Sequence, residues 1–374
     1  MSERKTEMTD NLSKNGVISC PLPILFVIIL YVPSLLFADI TYLIDNHGKW
    51  GPWSITDPTS LHNLQSEFGW RKKDVDAFAK KMKAIADVIR QADADPKGVD
   101  RKITGGIEFI YPYKVREMKQ KPYLPVEGYF FINAFSHFIS HRGVTLVSKE
   151  GPGMMVYVNH LTVGSRKVID PKFDDGWGIY LEPGTMGEFQ GFPVYDTGII
   201  VIKKSAKRLW TPVGKERFIK ALIRKTEWEF ARNKWKSLEE KGRFLREKLN
   251  SLSLSELAAP VYYNKRCGEI ADEISCIVDA DAPGARMLVT PNYDFFDPDL
   301  SRSDIQIIAI RDFADYEKRL KEAAVEREKD ERRGKKPRPV DIAVQRQAEL
   351  IRAVDWNKIA DMFMINSDIQ SDKK

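Results

Sequence analysis

The chain has only three cysteines, Cys20, Cys267 and Cys276, and only five histidines in 374 residues. Three cysteines are too few for a disulfide-stapled scaffold. The phosphate-cradling pattern G-x-x-x-x-G-K-[ST] is missing, and so is the dinucleotide pattern G-x-G-x-x-G, so no nucleotide partner is supported. No G-x-S-x-G elbow occurs, and no S-x-x-K stands in a convincing context, which leaves a serine nucleophile without its usual signatures. Apart from one stretch near the N-terminus, no apolar run is long enough to suggest a polytopic membrane protein. No internal repeat is visible. What remains is ordinary globular usage, 43% hydrophobic and 30% charged, in a chain long enough to bury a substantial core.

The one long apolar run reads VISCPLPILFVIILYVPSLLFA from Val17 to Ala38, with no charged residue. Lys14, Arg4 and Lys5 precede it and Asp39 follows. A basic lead, an apolar stretch and a small residue before polar sequence make a secretory signal peptide over residues 1–38, cleaved after Ala38. The rival reading is a retained inner-membrane anchor over 17–38, since about 20 apolar residues span a bilayer. Glu3, Glu7 and Asp10 make the lead unusually acidic and raise Met8 as an alternative start. Val-Ile-Ser-Cys at 17–20 resembles a lipoprotein box but stands at the wrong end of the run. A buried core helix is the remaining alternative. Either leading reading places the rest of the chain beyond the cytosol, in the periplasm or secreted.

Beyond Ala38 two cysteines remain, Cys267 and Cys276, and an oxidising compartment lets them pair. On one helix their Cα atoms would lie about 13.5 Å apart. A disulfide tolerates only about 4.4–6.8 Å, so a bridge requires a turn near Gly268. Two unpaired buried thiols are the competing reading.

The pattern predicts an α+β fold: a mostly antiparallel, sheet-rich body with long amphipathic helices and a helical C-terminal tail. Residues 39–212 make the body. They open on an irregular aromatic arm. A helix capped by Asp74 follows, with Val75, Phe78, Ala79, Met82, Ile85 and Ile89 on one face. Short β-branched and aromatic runs separated by Gly and Pro then give the strands, Glu127–Ile139 being the densest. Residues 213–260 are a basic helical segment, opened by Thr211 and Pro212, with Gly242 as a kink or a break. Residues 261–313 return to strands that can complete the same sheet. Residues 314–374 are charged and helical, with Asp341 capping a last helix that carries Val344, Ala348, Ile351, Val354 and Ile359 inward.

Charge segregation is the strongest chemical signal. Lys203 to Lys248 carries sixteen Lys and Arg against six Glu and no Asp, a net of +10 in a chain whose total is +6. Trp210, Trp228 and Trp235 interleave with these cations. The predicted binding residues are Lys220, Arg224, Trp228, Lys234 and Trp235, with the two last tryptophans, seven apart, near one helix face. A basic aromatic stripe suits an anionic envelope polymer or lipid surface. Nucleic acid is not expected, because no reading motif accompanies the charge. The competing reading is a solvated helix whose cations meet carboxylates of its own fold.

The rival function is an envelope hydrolase, metal-dependent, built on His137, His141 and His160. His137 and His141 are four apart, but the residue after His137 is Phe138, so the H-E-x-x-H base is missing. On a strand, four residues span about 13 Å, too far for one zinc. Acidic loops around Asp170, Asp174 and Asp175, and around Asp294, Asp297 and Asp299, invite calcium without matching the EF-hand spacing. No cofactor is predicted, and turn chemistry is the simpler reading of both loops. A third reading is a structural subunit that self-associates through exposed helices such as 315–338.

Overall fold

A computed structural model describes residues 41–56, 69–107, 123–140, 142–161, 166–175, 177–264, 266–267, 273–336 and 340–364. The leader, His62, His141 and the extended run expected over 108–113 lie outside the described residues. The fold is α+β, as the alternation of strand-like and helix-like patterns predicts.

In the N-terminal half the order is β1 (Thr41–Tyr42), β2 (Ser54–Thr56), α1 (Lys72–Ala92), β3 (Val99–Ile107), β4 (Gly128–Ile139), β5 (Thr145–Val147) and β6 (Gly153–Val158). Then come β7 (Arg166–Ile169), β8 (Ile179–Leu181), β9 (Thr185–Phe189), β10 (Phe192–Tyr195), β11 (Ile200–Lys203) and β12 (Trp210–Pro212). Helices α2 (Lys215–Asn233), α3 (Lys236–Ser251) and α4 (Leu254–Ala258) follow. The chain closes with β13 (Tyr262–Asn264), β14 (Ile277–Val278), β15 (Ala285–Pro291), β16 (Ile307–Ile310), α5 (Phe313–Arg332), α6 (Ile342–Ala353) and α7 (Trp356–Phe363).

The strands form two sheets. The larger runs β2-β3-β4-β6-β16-β11-β10-β9, with β1 and β5 joined to the far end of β4. The smaller runs β14-β13-β15-β8-β7, with β12 on β15. Among the described strands only β2 and β3 pair in parallel. The region after 261 therefore divides: β13, β14 and β15 build the second sheet, while β16 inserts between β6 and β11 of the first.

β4 is the spine of the larger sheet. Its side chains alternate faces, as the pleat requires. Phe130, Ile132 and Ala134 are buried, while Tyr129, Phe131, Asn133 and Phe135 are half-exposed. The buried face meets α1 closely: a Cβ on Gly128 would stand 2.8 Å from the Met82 sulfur. α1 supplies the expected apolar stripe, with Val75, Phe78, Met82, Ile85 and Ile89 all buried, and only Ala79 partly so. Its start differs from expectation. The helix begins at Lys72, so Asp74 sits one turn in, where its carboxylate accepts from the Arg71 N–H at 3.2 Å and the Arg71 guanidinium at 2.9 Å. That places an acid against the positive end of the helix dipole.

The tail is two helices where the periodicity suggested one. Asp341 caps α6 as predicted, accepting from the Ala343 N–H at 3.0 Å. Val354 then turns extended and Asp355 caps α7 through the Lys358 N–H. α5 is the exposed charged helix expected. Glu328 and Arg332 pair along it, and Glu317 reaches across to Arg352 of α6.

Cys267 and Cys276 are bridged, with Cα atoms 6.0 Å apart. Residues 273–276 form turns rather than helix, as that spacing demands. No described helix is long and apolar enough to cross a membrane.

Candidate functional site

The basic segment folds as a helical hairpin rather than one long helix. Trp210–Pro212 is the strand β12, so the proline expected at a helix start ends a strand, and α2 begins after Gly214. α2 ends where Lys234 adopts a left-handed conformation (φ 56°) and its N–H donates to the Phe230 carbonyl at 2.8 Å. Trp235 is extended and leads straight into α3. The reversal thus needs only Lys234 and Trp235. Gly242, expected as a kink or break, lies inside α3 at the crossing with α2, where a Cβ would be 3.7 Å from the Thr226 methyl. That is ordinary van der Waals contact, so the crossing accommodates a Cβ.

The root of the hairpin is apolar within and ion-paired without. Phe218, Ile219, Ala221, Leu222 and Leu245 pack with Val213, Val261 and Leu288 in a second core, distinct from the core of the larger sheet. Arg217 donates two hydrogen bonds to the fully buried Asp174 carboxylate, at 2.9 and 2.7 Å. Burial alone would lower the Arg217 pKa, but the Asp174 carboxylate holds it above its ordinary value. Arg224 donates to the Phe173 carbonyl at 2.5 Å and lies 3.6 Å from Asp175. Lys220 pairs with Glu216 at 2.6 Å, and Arg246 with Glu227 at 2.6 Å. Glu273, in the turn before Cys276, bridges Lys225 of α2 and Lys241 of α3. Burial would raise the Glu273 carboxyl, but the two ammonium groups overcome it and hold the pKa at about 2.

The tip is different. Between Phe230 and Leu238 the chain carries Arg232, Lys234 and Lys236 and no acidic residue. Among the described residues no carboxylate pairs with Arg232 or Lys234, and Lys236 has only a loose 3.8 Å contact with the exposed Glu240. Trp228 is 41% exposed and lies between two cations, the Lys172 ammonium 4.1 Å from its ring centre and the Arg232 guanidinium 4.5 Å. Trp235 is 62% exposed, and Phe244 on α3 is 52% exposed.

Of the five residues predicted to bind, Lys220 and Arg224 therefore belong to the ion-paired root, while Lys234 and Trp235 sit at the tip and Trp228 flanks it. The expectation that Trp228 and Trp235 share one helix face fails, because the left-handed turn at Lys234 falls between them. Arg232 and Lys236 were not singled out from the sequence. The signal available was the nine-residue stretch free of acid.

Among the described residues the histidines do not gather. His137, near the end of β4, meets Asp100 of β3 at 3.0 Å. His160 follows β6 and lies 3.5 Å from Glu127, both buried. Val158 pairs with Gly128, at the opposite end of β4, so nine strand residues, about 30 Å, separate the two histidine neighbourhoods. Among the described residues no group of three His, Cys, Asp or Glu could hold a metal. The acidic loops serve the fold. Asp170 caps a short turn through the Lys172 N–H, Asp174 holds Arg217, and Asp297 accepts from the Asp299 N–H.

No family model, curated protein or solved structure matches this chain.

Proposed function

We propose that this is an exported protein of the cell envelope, and that the tip of the α2–α3 hairpin seats on an anionic lipid surface. One observation carries the reading: Trp235, largely exposed at a tight helical reversal, stands among three exposed cations with no acid between Phe230 and Leu238. An indole is apolar over its ring and polar at its N–H, which suits the headgroup region of a bilayer. Lys and Arg near an anionic membrane surface are each worth about 1 kcal/mol, so three give weak, reversible attachment. At the root, Arg217, Arg224, Lys220, Arg246, Lys225 and Lys241 are spent on Asp174, Asp175, Glu216, Glu227 and Glu273, whereas the tip holds its cations without an acid between Phe230 and Leu238.

The apolar run over 17–38 supports export, and the Cys267–Cys276 bridge is consistent with an oxidising compartment. A lipid surface is favoured over an anionic polymer because the tip presents an aromatic wedge rather than a groove.

The test uses the full-length chain with neutral phosphatidylcholine vesicles and with vesicles containing phosphatidylglycerol. The apolar leader contributes to both, so the hairpin is read from the difference. Anionic vesicles are expected to bind more protein, the preference fading with salt. Reversing Arg232, Lys234 and Lys236 to Glu should abolish the preference, and Trp235→Ala should weaken it. Equal binding to the two vesicle types, or a preference untouched by the triple reversal, would refute the reading.

A further inference from the structure

A cavity of about 200 Å³ opens where α1, β3 and α6 meet, outside the hairpin. Sites for drug-sized ligands run to about 300–1,000 Å³, so only a small molecule fits here. Six charged side chains line it, Asp93, Asp95 and Glu349 against Lys97, Arg101 and Arg346. The two signs balance, so the lining as a whole favours neither a bare anion nor a bare cation.

Half of these groups are committed to the fold. Arg346 donates to Glu349 at 2.6 Å and to the Lys97 carbonyl at 2.9 Å, and Glu349 accepts from Gln345 on its other oxygen. Asp95 meets the exposed His47 at 2.9 Å. Arg101, Asp93 and Lys97 retain capacity. Arg101 is only 2% exposed, and a guanidinium carries five N–H groups. Among the described residues it donates to three acceptors: Asp93 Oδ2 at 2.6 Å, Gln347 Oε1 at 2.6 Å and the Arg346 carbonyl at 2.9 Å. Two N–H groups remain. Asp93 gives Oδ2 to Arg101, and its Oδ1 accepts nothing among the described residues. Lys97 is exposed, and its ammonium has no acceptor among them either. Burial pulls the Arg101 pKa below its ordinary value even against the Asp93 carboxylate, so a second anion beside it would offset the cost of burying the charge. α1 ends at Ala92 and α6 at Ala353, and both residues border the cavity, so two negative helix ends favour a cation on that side.

We propose that this cavity binds a small zwitterion, a free α-amino acid with a short side chain. Its carboxylate accepts from the remaining Arg101 N–H groups and from Lys97. Its ammonium group donates to Asp93 Oδ1, beside the two helix ends. A carboxylate and an ammonium one carbon apart match a guanidinium and a carboxylate held together by one hydrogen bond. Ala92, Leu350 and Ala353 supply the apolar wall against which the short side chain rests.

Calorimetric titration of the full-length chain, held in mild detergent because of its leader, compares L-alanine with propionate and ethylammonium, the same skeleton with one charge removed. L-Alanine should bind at least about tenfold more tightly than either, since each loses a charged hydrogen bond. Asp93→Asn keeps an acceptor for Arg101 but replaces the second carboxylate oxygen with a donor. It should weaken L-alanine by at least about tenfold and leave propionate no weaker, a change of preference that a merely structural role would not produce. Lys97→Ala should weaken L-alanine and propionate alike. Because Asp93 also holds the buried Arg101, Ala353→Trp supplies a second variant. Ala353 is exposed at a helix end, so the indole should fill the cavity and abolish binding with the melting temperature unchanged. No binding of L-alanine, equal binding of L-alanine and propionate, or L-alanine binding that survives Ala353→Trp would overturn the proposal.

Discussion

At the residue scale, two carboxylates decide how the basic segment behaves. Asp174 is fully buried and accepts both hydrogen bonds from Arg217, whose remaining contact is the Thr290 hydroxyl at 3.3 Å. Removing one partner of a buried pair strands the other. Asp174→Ala should therefore lower the unfolding free energy by about 3 kcal/mol. Its exposed neighbour Asp175, changed the same way, should cost no more than about 0.5 kcal/mol. Urea unfolding of the two variants makes the comparison. Glu273 gives a pH signature. Its folded pKa, about 2, lies below the ordinary 4.5. The folded state thus binds the proton more weakly than the unfolded chain, and the contribution is present above about pH 5 and lost as pH falls toward 2. The stability gap between the wild-type protein and Glu273→Gln should shrink steadily over that window. A gap independent of pH would mean that Lys225 and Lys241 do not hold the charge.

At the scale of elements, two residues mark the hairpin, one at its reversal and one at its helix crossing. Lys234 accepts a left-handed backbone at the reversal. Gly242 sits in a helix interior, where glycine costs about 1 kcal/mol relative to alanine. Its missing Cβ would find only ordinary contact with Thr226, at 3.7 Å. Gly242→Ala should thus raise stability by about 1 kcal/mol. Gly242→Leu should lower it by driving the helices apart. Thermal melts of the pair would separate a helix-propensity effect from a packing one. The same geometry predicts that Trp235→Ala, at the tip, leaves the melting temperature nearly unchanged, since an exposed side chain with no core contacts contributes little.

At the scale of the whole molecule, two sheets carry two cores. The larger is sealed by α1, α6 and α7, and the smaller by the hairpin root. The disulfide belongs to the smaller one, where Cys276 is fully buried. Closing a loop of this length restricts the unfolded chain by about 3 kcal/mol. Reduction should destabilise the smaller core first. Hydrogen exchange should then accelerate in α2 and β15 well before it does in β4. Uniform acceleration across both sheets would show a single cooperative unit instead.

Much of this architecture was written in local pattern. The periodicity of α1, the alternation of β4, the Asp341 cap and the requirement for a turn between Cys267 and Cys276 all follow from spacing that a few neighbouring residues enforce. So did the charge segregation of 203–248, which composition alone reveals. What local pattern could not decide was which cations are spent. Lys220 and Lys234 look equivalent along the chain, yet one stands a helical turn from its glutamate and the other at a tip with no carboxylate beside it. Arg217 and Lys241 find their acids in segments 43 and 32 residues away. The histidines tell the same story: His137 and His160 are close in sequence, yet they lie beside opposite ends of β4. Residue order determined the elements and the total charge. Only tertiary folding decided which charges remain available, because pairing depends on distances that the folded chain alone creates.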